Sequence, residues 1–265
     1  MRITLCVLII TMFLSGSATC HANAAWFDCG TVAPFHIQSD YALRNPNAVL
    51  QVVKQLKLDF EKTLKLSPSK RTVEVRLFKS KRDYRRHVSQ RIPRGDRHPA
   101  LFVKGSDVSW IYIYSQPEFT KNLRHECTHA LLHNSLYALP LWLDEGLAQY
   151  LEIPTHRAAN EHANLASIRR SVSRGWHPDL QKLEKKSTHD RFTETDYQEA
   201  WAWVHFMLHG PGESRTTLRN YLTRIESREF AGRMSEWMNT STFDFDRQFV
   251  AHFHRKQART LRSRK

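Results

Sequence analysis

The sequence predicts an α+β fold: a small mixed α/β part over residues 25–115, then a mainly helical part over residues 116–250. Three observations predict it. Thr72–Phe78 (Thr-Val-Glu-Val-Arg-Leu-Phe) alternates apolar and polar residues, the mark of a half-buried strand. Phe102-Val103 and Val108–Tyr114 flank a Gly105-Ser106-Asp107 turn and read as a β-hairpin. After Tyr114 the apolar period lengthens from two residues to that of a helix. Composition agrees. Of 265 residues, 41% are hydrophobic and 25% charged, which excludes wholesale disorder. Gly 9 and Pro 10 exclude a collagen-like or low-complexity chain. No apolar run reaches the ~18–20 residues that span a bilayer as a helix.

The elements follow in order. Met1-Arg2, an apolar run from Ile3 to Leu14, and a small-residue Ala22-x-Ala24 site read as a secretory signal peptide over residues 1–24, cleaved after Ala24. The protein is therefore expected to be exported, periplasmic or secreted. Ser17-Ala18-Thr19 before Cys20 is a poor lipid-attachment signal. Cleavage removes Cys6 and Cys20; Cys29 and Cys127 remain, with no announced disulfide. Residues 25–44 show little period and read as a lead-in. Asn45–Leu66 carries Val49, Val52, Val53, Leu56, Phe60 and Leu64 on one helical stripe. Ser80–Arg91 reads as a short basic helix. Ser115-Gln116-Pro117-Glu118 has the pattern of a capping box, opening a long helix to about Leu136. Pro140 breaks the chain, and Trp142–Glu152 is a second helix. From about residue 160 onward the periods are helical. Residues 251–265 form a basic tail.

The long helix contains His125-Glu126-Cys127-Thr128-His129. Residues i and i+4 share a helix face, so both imidazoles reach one ion, and zinc suits such ligands. Glu126, beside the first ligand, is placed to accept a proton from water that the ion has made acidic. A catalytic zinc needs a third protein ligand and an open position. A His six residues after His129 is excluded, because position 135 is Ser135. His133 continues the same helix, which cannot easily wrap one ion with three successive turns. Glu145, after the Pro140 turn, remains; on spacing alone it is equally well a solvated carboxylate. Gly146 beside it lacks a Cβ and permits the two helices to approach closely around the metal.

His-Glu-x-x-His followed by Trp142-Leu143-Asp144-Glu145-Gly146-Leu147-Ala148-Gln149-Tyr150 resembles the gluzincin zinc metallopeptidases, in particular the small bacterial peptidase MA-like family. The resemblance spans about residues 70–210. It implies that Glu145 is the third zinc ligand, and that Tyr197, in Tyr197-Gln198-Glu199-Ala200, stabilises the transition state. It also implies a β-hairpin edge strand, Val108–Tyr114, that pairs with an extended peptide substrate. Tyr197, Trp201 and Leu208 form an apolar stripe as well, so a plain core tyrosine is the competing reading. The Gly-x-Met-Glu-Asn segment of the related aminopeptidases is absent before His125, which points to an endopeptidase.

Lys+Arg 40 against Asp+Glu 26 gives a net charge of +14. Basic residues are dense between Lys54 and Arg97 and again in the tail. An exported chain meets little nucleic acid, so anionic envelope components or acidic substrates are the expected partners of this charge. The expected function is zinc-dependent hydrolysis of a peptide or protein substrate. The alternative is a non-catalytic zinc-containing protein of the same fold that binds anionic envelope components.

Overall fold

The computed structural model describes residues 26–187, 189 and 192–254. The expected signal peptide over residues 1–24 and most of the basic tail lie outside the described residues. Among the described residues no helix is long and apolar enough to cross a membrane.

Five strands form one sheet: β1 (Phe27–Val32), β2 (Phe35–Ser39), β3 (Val73–Phe78), β4 (Ala100–Val103) and β5 (Ser109–Tyr114), in the order β1-β2-β3-β5-β4. The end pairs are antiparallel and the two inner pairs parallel. Parallel pairing needs crossovers, and two helices supply them: α1 (Pro46–Leu64) between β2 and β3, and α2 (Lys81–Ser89) between β3 and β5. Asn45 caps α1 by accepting from the Ala48 backbone N–H, and Pro46 sits at its first position. Val53, Leu56, Phe60 and Leu64 are its buried stripe.

Alternation sorts the strand residues to two faces. Ile37, Val73, Val75, Phe102, Ile111 and Ile113 enter the main core with α1 and the helices that follow. Phe78, Leu101, Val103 and Tyr112 pack with Tyr84, Val88 and Ile92 under α2.

Two helices hold the motifs: α3 (Phe119–Ser135) and α4 (Leu141–Leu151). A buried network ties them to α1. Arg124 on α3 donates to Asp59 on α1 at 2.8 Å, and to the carbonyls of Leu151 and Ile153 at 2.9 and 3.2 Å. Thr155 donates to the other Asp59 oxygen at 2.9 Å. The rest is helical: α5 (Thr155–Glu161), α6 (Ala163–Ser173), α7 (Leu180–Glu184), α8 (Glu194–His209), α9 (Gly212–Glu226), α10 (Met234–Asn239) and α11 (Phe245–His254).

Four expectations are corrected. Residues 25–44 are no lead-in: they hold the hairpin β1–β2, whose first strand is mostly exposed and so lacks an apolar period. Val108–Tyr114 is not the edge strand. β5 is enclosed between β3 and β4, and the sheet edge falls to β4. The capping box at Ser115 does not form, because the Ser115 N–H extends the sheet ladder to Phe78 O at 2.9 Å and Gln116 donates to Pro99 O at 3.1 Å. The helix starts later, with Glu118 at its N-cap and no side-chain cap bond. Gly146, finally, admits a different helix from the one expected. A Cβ there would lie 2.6 Å from Ala200 O and 2.8 Å from Val204 Cγ2, so the close approach is between α4 and α8.

Candidate metal centre

The i, i+4 spacing on α3 sets the Nε2 atoms of His125 and His129 3.1 Å apart. From α4, Glu145 Oε2 lies 3.7 Å from the first and 3.9 Å from the second. These three are the group of ligating side chains found among the described residues, and all three are fully buried. Four ligands at ~2.0–2.1 Å around a tetrahedral zinc stand ~3.3 Å from one another, so the three separations are close to the edges of such a tetrahedron.

The protonation pattern is also that of a metal site. His129 Nδ1 is 3.0 Å from Asp144 Oδ1, and His125 Nδ1 is 3.5 Å from Glu152 Oε2. Carboxylates on the Nδ1 side fix the proton there and turn both Nε2 lone pairs inward. Two lone pairs facing at 3.1 Å repel, unless a cation lies between them. Burial pushes the His125 imidazole down to about 4, against the opposing pull of Glu152, so it is neutral and able to ligate at neutral pH. Burial, then the charges of Asp144, Glu126 and Glu152, drive the Glu145 carboxyl well above the carboxylate range. A cation at this corner reverses that preference.

Around the three stand their supports. Asp144 also meets His133 Nε2 at 3.2 Å; burial works to raise its carboxyl, but the two imidazoles outweigh burial and hold it well below its usual range. Glu152 meets His162 at 2.9 Å and Lys121 at 3.2 Å, and its contacts with His125 and His162 likewise overcome burial and lower it. His133 thus meets Asp144 from one turn beyond His129. The Phe102 ring of β4 lies nearly parallel to His129 and His133, with centroids 6.4 and 5.7 Å away.

Glu126, next to His125 in the chain, is fully buried. Burial pushes its carboxyl up to about 8; the Phe102 backbone N–H opposes this and the charge of Asp144 adds to it. Tyr197 lies buried in the first turn of α8, its ring edge-on to Phe192 at 4.9 Å. The Ala200 contact with Gly146 sets Tyr197 one turn ahead of the point where α8 meets the Glu145 helix. Cys29 and Cys127 are both buried free thiols, and burial pushes Cys127 well above the usual thiol range.

Sequence reasoning missed Asp144, Glu152, His162 and His189. The first two stand in the quoted Trp142–Glu152 segment, where the i, i+8 spacing on one helix is a signal in principle. His162 and His189 come from distant connections and left none. His189 Nδ1 is 3.3 Å from Glu145 Oε1.

No family model matches the chain, and no curated protein matches it. Among solved structures it is similar to a point mutant of the M1 zinc metallopeptidase from Deinococcus radiodurans, with 14% identity and a TM-score of 0.47 over 89% of this chain and 52% of that one. The chain thus spans about half the length of that protein.

Proposed function

We propose that the chain is an exported zinc-dependent peptidase that cleaves peptide bonds within peptide or protein substrates. One observation carries the reading: two imidazole Nε2 atoms and one carboxylate oxygen stand 3.1, 3.7 and 3.9 Å apart. His125, His129 and Glu145 would hold the ion. Zinc, when bound, would supply Lewis-acid polarisation of a carbonyl and make an attacking water more acidic. Glu126 takes a proton at its carboxylate and returns it to the leaving amine; burial favours its protonated form in the ion-free site, and a cation held beside it would favour the carboxylate that a base needs. Tyr197 donates to the developing oxyanion. The substrate extends along the edge of β4, beside Phe102.

Cleavage of a mixed peptide library, abolished by a chelator and restored by zinc, is the expected result; no cleavage by the zinc-loaded chain contradicts it. Export predicts a mature N-terminus near Ala25, read by N-terminal sequencing.

A second reading has its own observation. His125, Glu126, His129 and Glu145 are all at zero exposure, and a hydrolase must admit its substrate. The alternative is a zinc-containing protein without turnover that docks on anionic envelope components. Exposed Lys81, Arg82, Arg85, Arg86 and Arg91 of α2 and its C-terminal end would meet them. Zinc binding without cleavage, together with salt-sensitive binding to anionic vesicles, favours this second reading.

A further inference from the structure

We infer that His189 is a positioning residue of this centre, holding the outer oxygen of Glu145 so that the inner oxygen alone faces the ion. The inference rests on the zinc reading above. It starts from how the Glu145 carboxylate is oriented. Oε2 faces the two imidazole Nε2 atoms at 3.7 and 3.9 Å, whereas Oε1 faces away from them, toward His189 Nδ1 at 3.3 Å. His189 comes from the connection between α7 and α8, remote in sequence from both motif helices.

The other two ligands set the pattern. His129 is backed by Asp144 and His125 by Glu152, each an acceptor set against an imidazole N–H. A carboxylate ligand reverses the need. Its partner must donate, and His189 Nδ1 stands 3.3 Å from Oε1; no hydrogen bond is formed there in the ion-free arrangement, but a small turn of the ring would let a protonated Nδ1 donate to that oxygen. Without it the Glu145 carboxylate is free to rotate and to present either oxygen, or both. With that bond made, one oxygen is occupied and the other alone is left to face the ion.

The test uses the full chain, freed of metal and titrated with zinc against a chromophoric chelator, as wild type, His189→Ala and His189→Asn. An asparagine amide places an N–H near the Nδ1 position, and alanine does not. His189→Ala is expected to bind zinc ~10–100-fold more weakly, and His189→Asn within about threefold of wild type. The metal-free melting temperatures should agree for all three, because a purely structural role would move those instead. The cobalt-substituted His189→Ala protein should keep the visible band positions of wild type, since the inner ligands are unchanged. Wild-type zinc affinity in His189→Ala overturns the inference, as does an asparagine variant no better than alanine. A cobalt spectrum of altered coordination number also overturns it, by making His189 itself a ligand. A wild-type chain with no zinc affinity defeats the zinc reading and this inference together.

Discussion

Replacing Gly146 with alanine tests whether the packing of α8 positions the third ligand. Two effects oppose each other. In a helix interior alanine is favoured over glycine by ~1 kcal/mol. The added Cβ, however, would stand 2.6 Å from the Ala200 carbonyl oxygen, 2.8 Å from Val204 Cγ2 and 2.9 Å from the Ala200 carbonyl carbon, where ordinary contact begins at 3.4 Å. A side-chain methyl can rotate away; a carbonyl held in the α8 backbone cannot. The two helices must therefore part by roughly 0.5–0.8 Å along their shared face, which is the most extensive helix–helix contact among the described residues. Overpacking of this kind costs ~1–3 kcal/mol, so the net effect is a loss of about 1 kcal/mol, or ~2–4 °C in melting temperature. Glu145 is the next residue and moves with α4. Metal sites tolerate only ~0.2 Å in ligand distance, so zinc affinity should fall at least ~10-fold. Differential scanning calorimetry of the metal-free chain and chelator competition read the two effects separately. A variant that melts higher than wild type and binds zinc as tightly would refute the close packing and its link to the ligand.

Three further outcomes are expected. Tyr197→Phe removes one hydroxyl and keeps the buried ring; turnover should fall ~10²–10³-fold, equivalent to ~3 kcal/mol, with zinc content unchanged, and turnover within about threefold of wild type would return Tyr197 to the core. Arg124→Ala removes the guanidinium that pairs with buried Asp59 and leaves two carbonyls without their donor, so chemical denaturation should report a loss of ~3–5 kcal/mol, and a loss below 1 kcal/mol would show that the network is dispensable. His205 is held neutral: burial first, then neighbouring positive charge, pushes it down to about 3, against the Ala159 carbonyl at 2.9 Å that accepts from its Nε2. Its folded value lies below its unfolded value of ~6.5, so stability is complete above pH ~6.5 and declines as pH falls toward 3, by up to ~1.4 kcal/mol per pH unit. Urea midpoints at pH 7 and 5 should show a smaller fall in His205→Gln than in wild type; an equal fall would clear His205.

The parts of the fold legible in the sequence were those specified locally. His125 and His129 are four residues apart on one helix, so their meeting needs no tertiary knowledge. The stripe of α1 and the alternation of β3 are likewise local. Strand order is not local. The β4–β5 turn identifies the pair, but which member joins β3 depends on the crossover through α2, and this moved the edge from β5 to β4. Strand β1 escaped because an outer strand with one buried residue, Cys29, has no period to detect. Glu145 was equivocal on spacing and became specific only through the resemblance of its whole segment. Asp144 and Glu152 were in view, but carboxylates are too common on helices to single out, and their roles depend on which ring nitrogen they face. The expected use of Gly146 was right in kind and wrong in partner, because the sequence shows a missing Cβ but not what fills the space.

The central claim is that His125, His129 and Glu145 form one zinc site served by Glu126 as the base. Paired measurement of zinc content and peptide cleavage on wild type, Glu145→Ala and Glu126→Gln tests it most directly. The account predicts about one zinc per chain and chelator-sensitive cleavage for wild type, loss of most of the metal from Glu145→Ala, and a Glu126→Gln chain that keeps its zinc while turnover falls by several orders of magnitude. A Glu145→Ala chain that holds zinc like wild type, or a Glu126→Gln chain that cleaves at the wild-type rate, would contradict it.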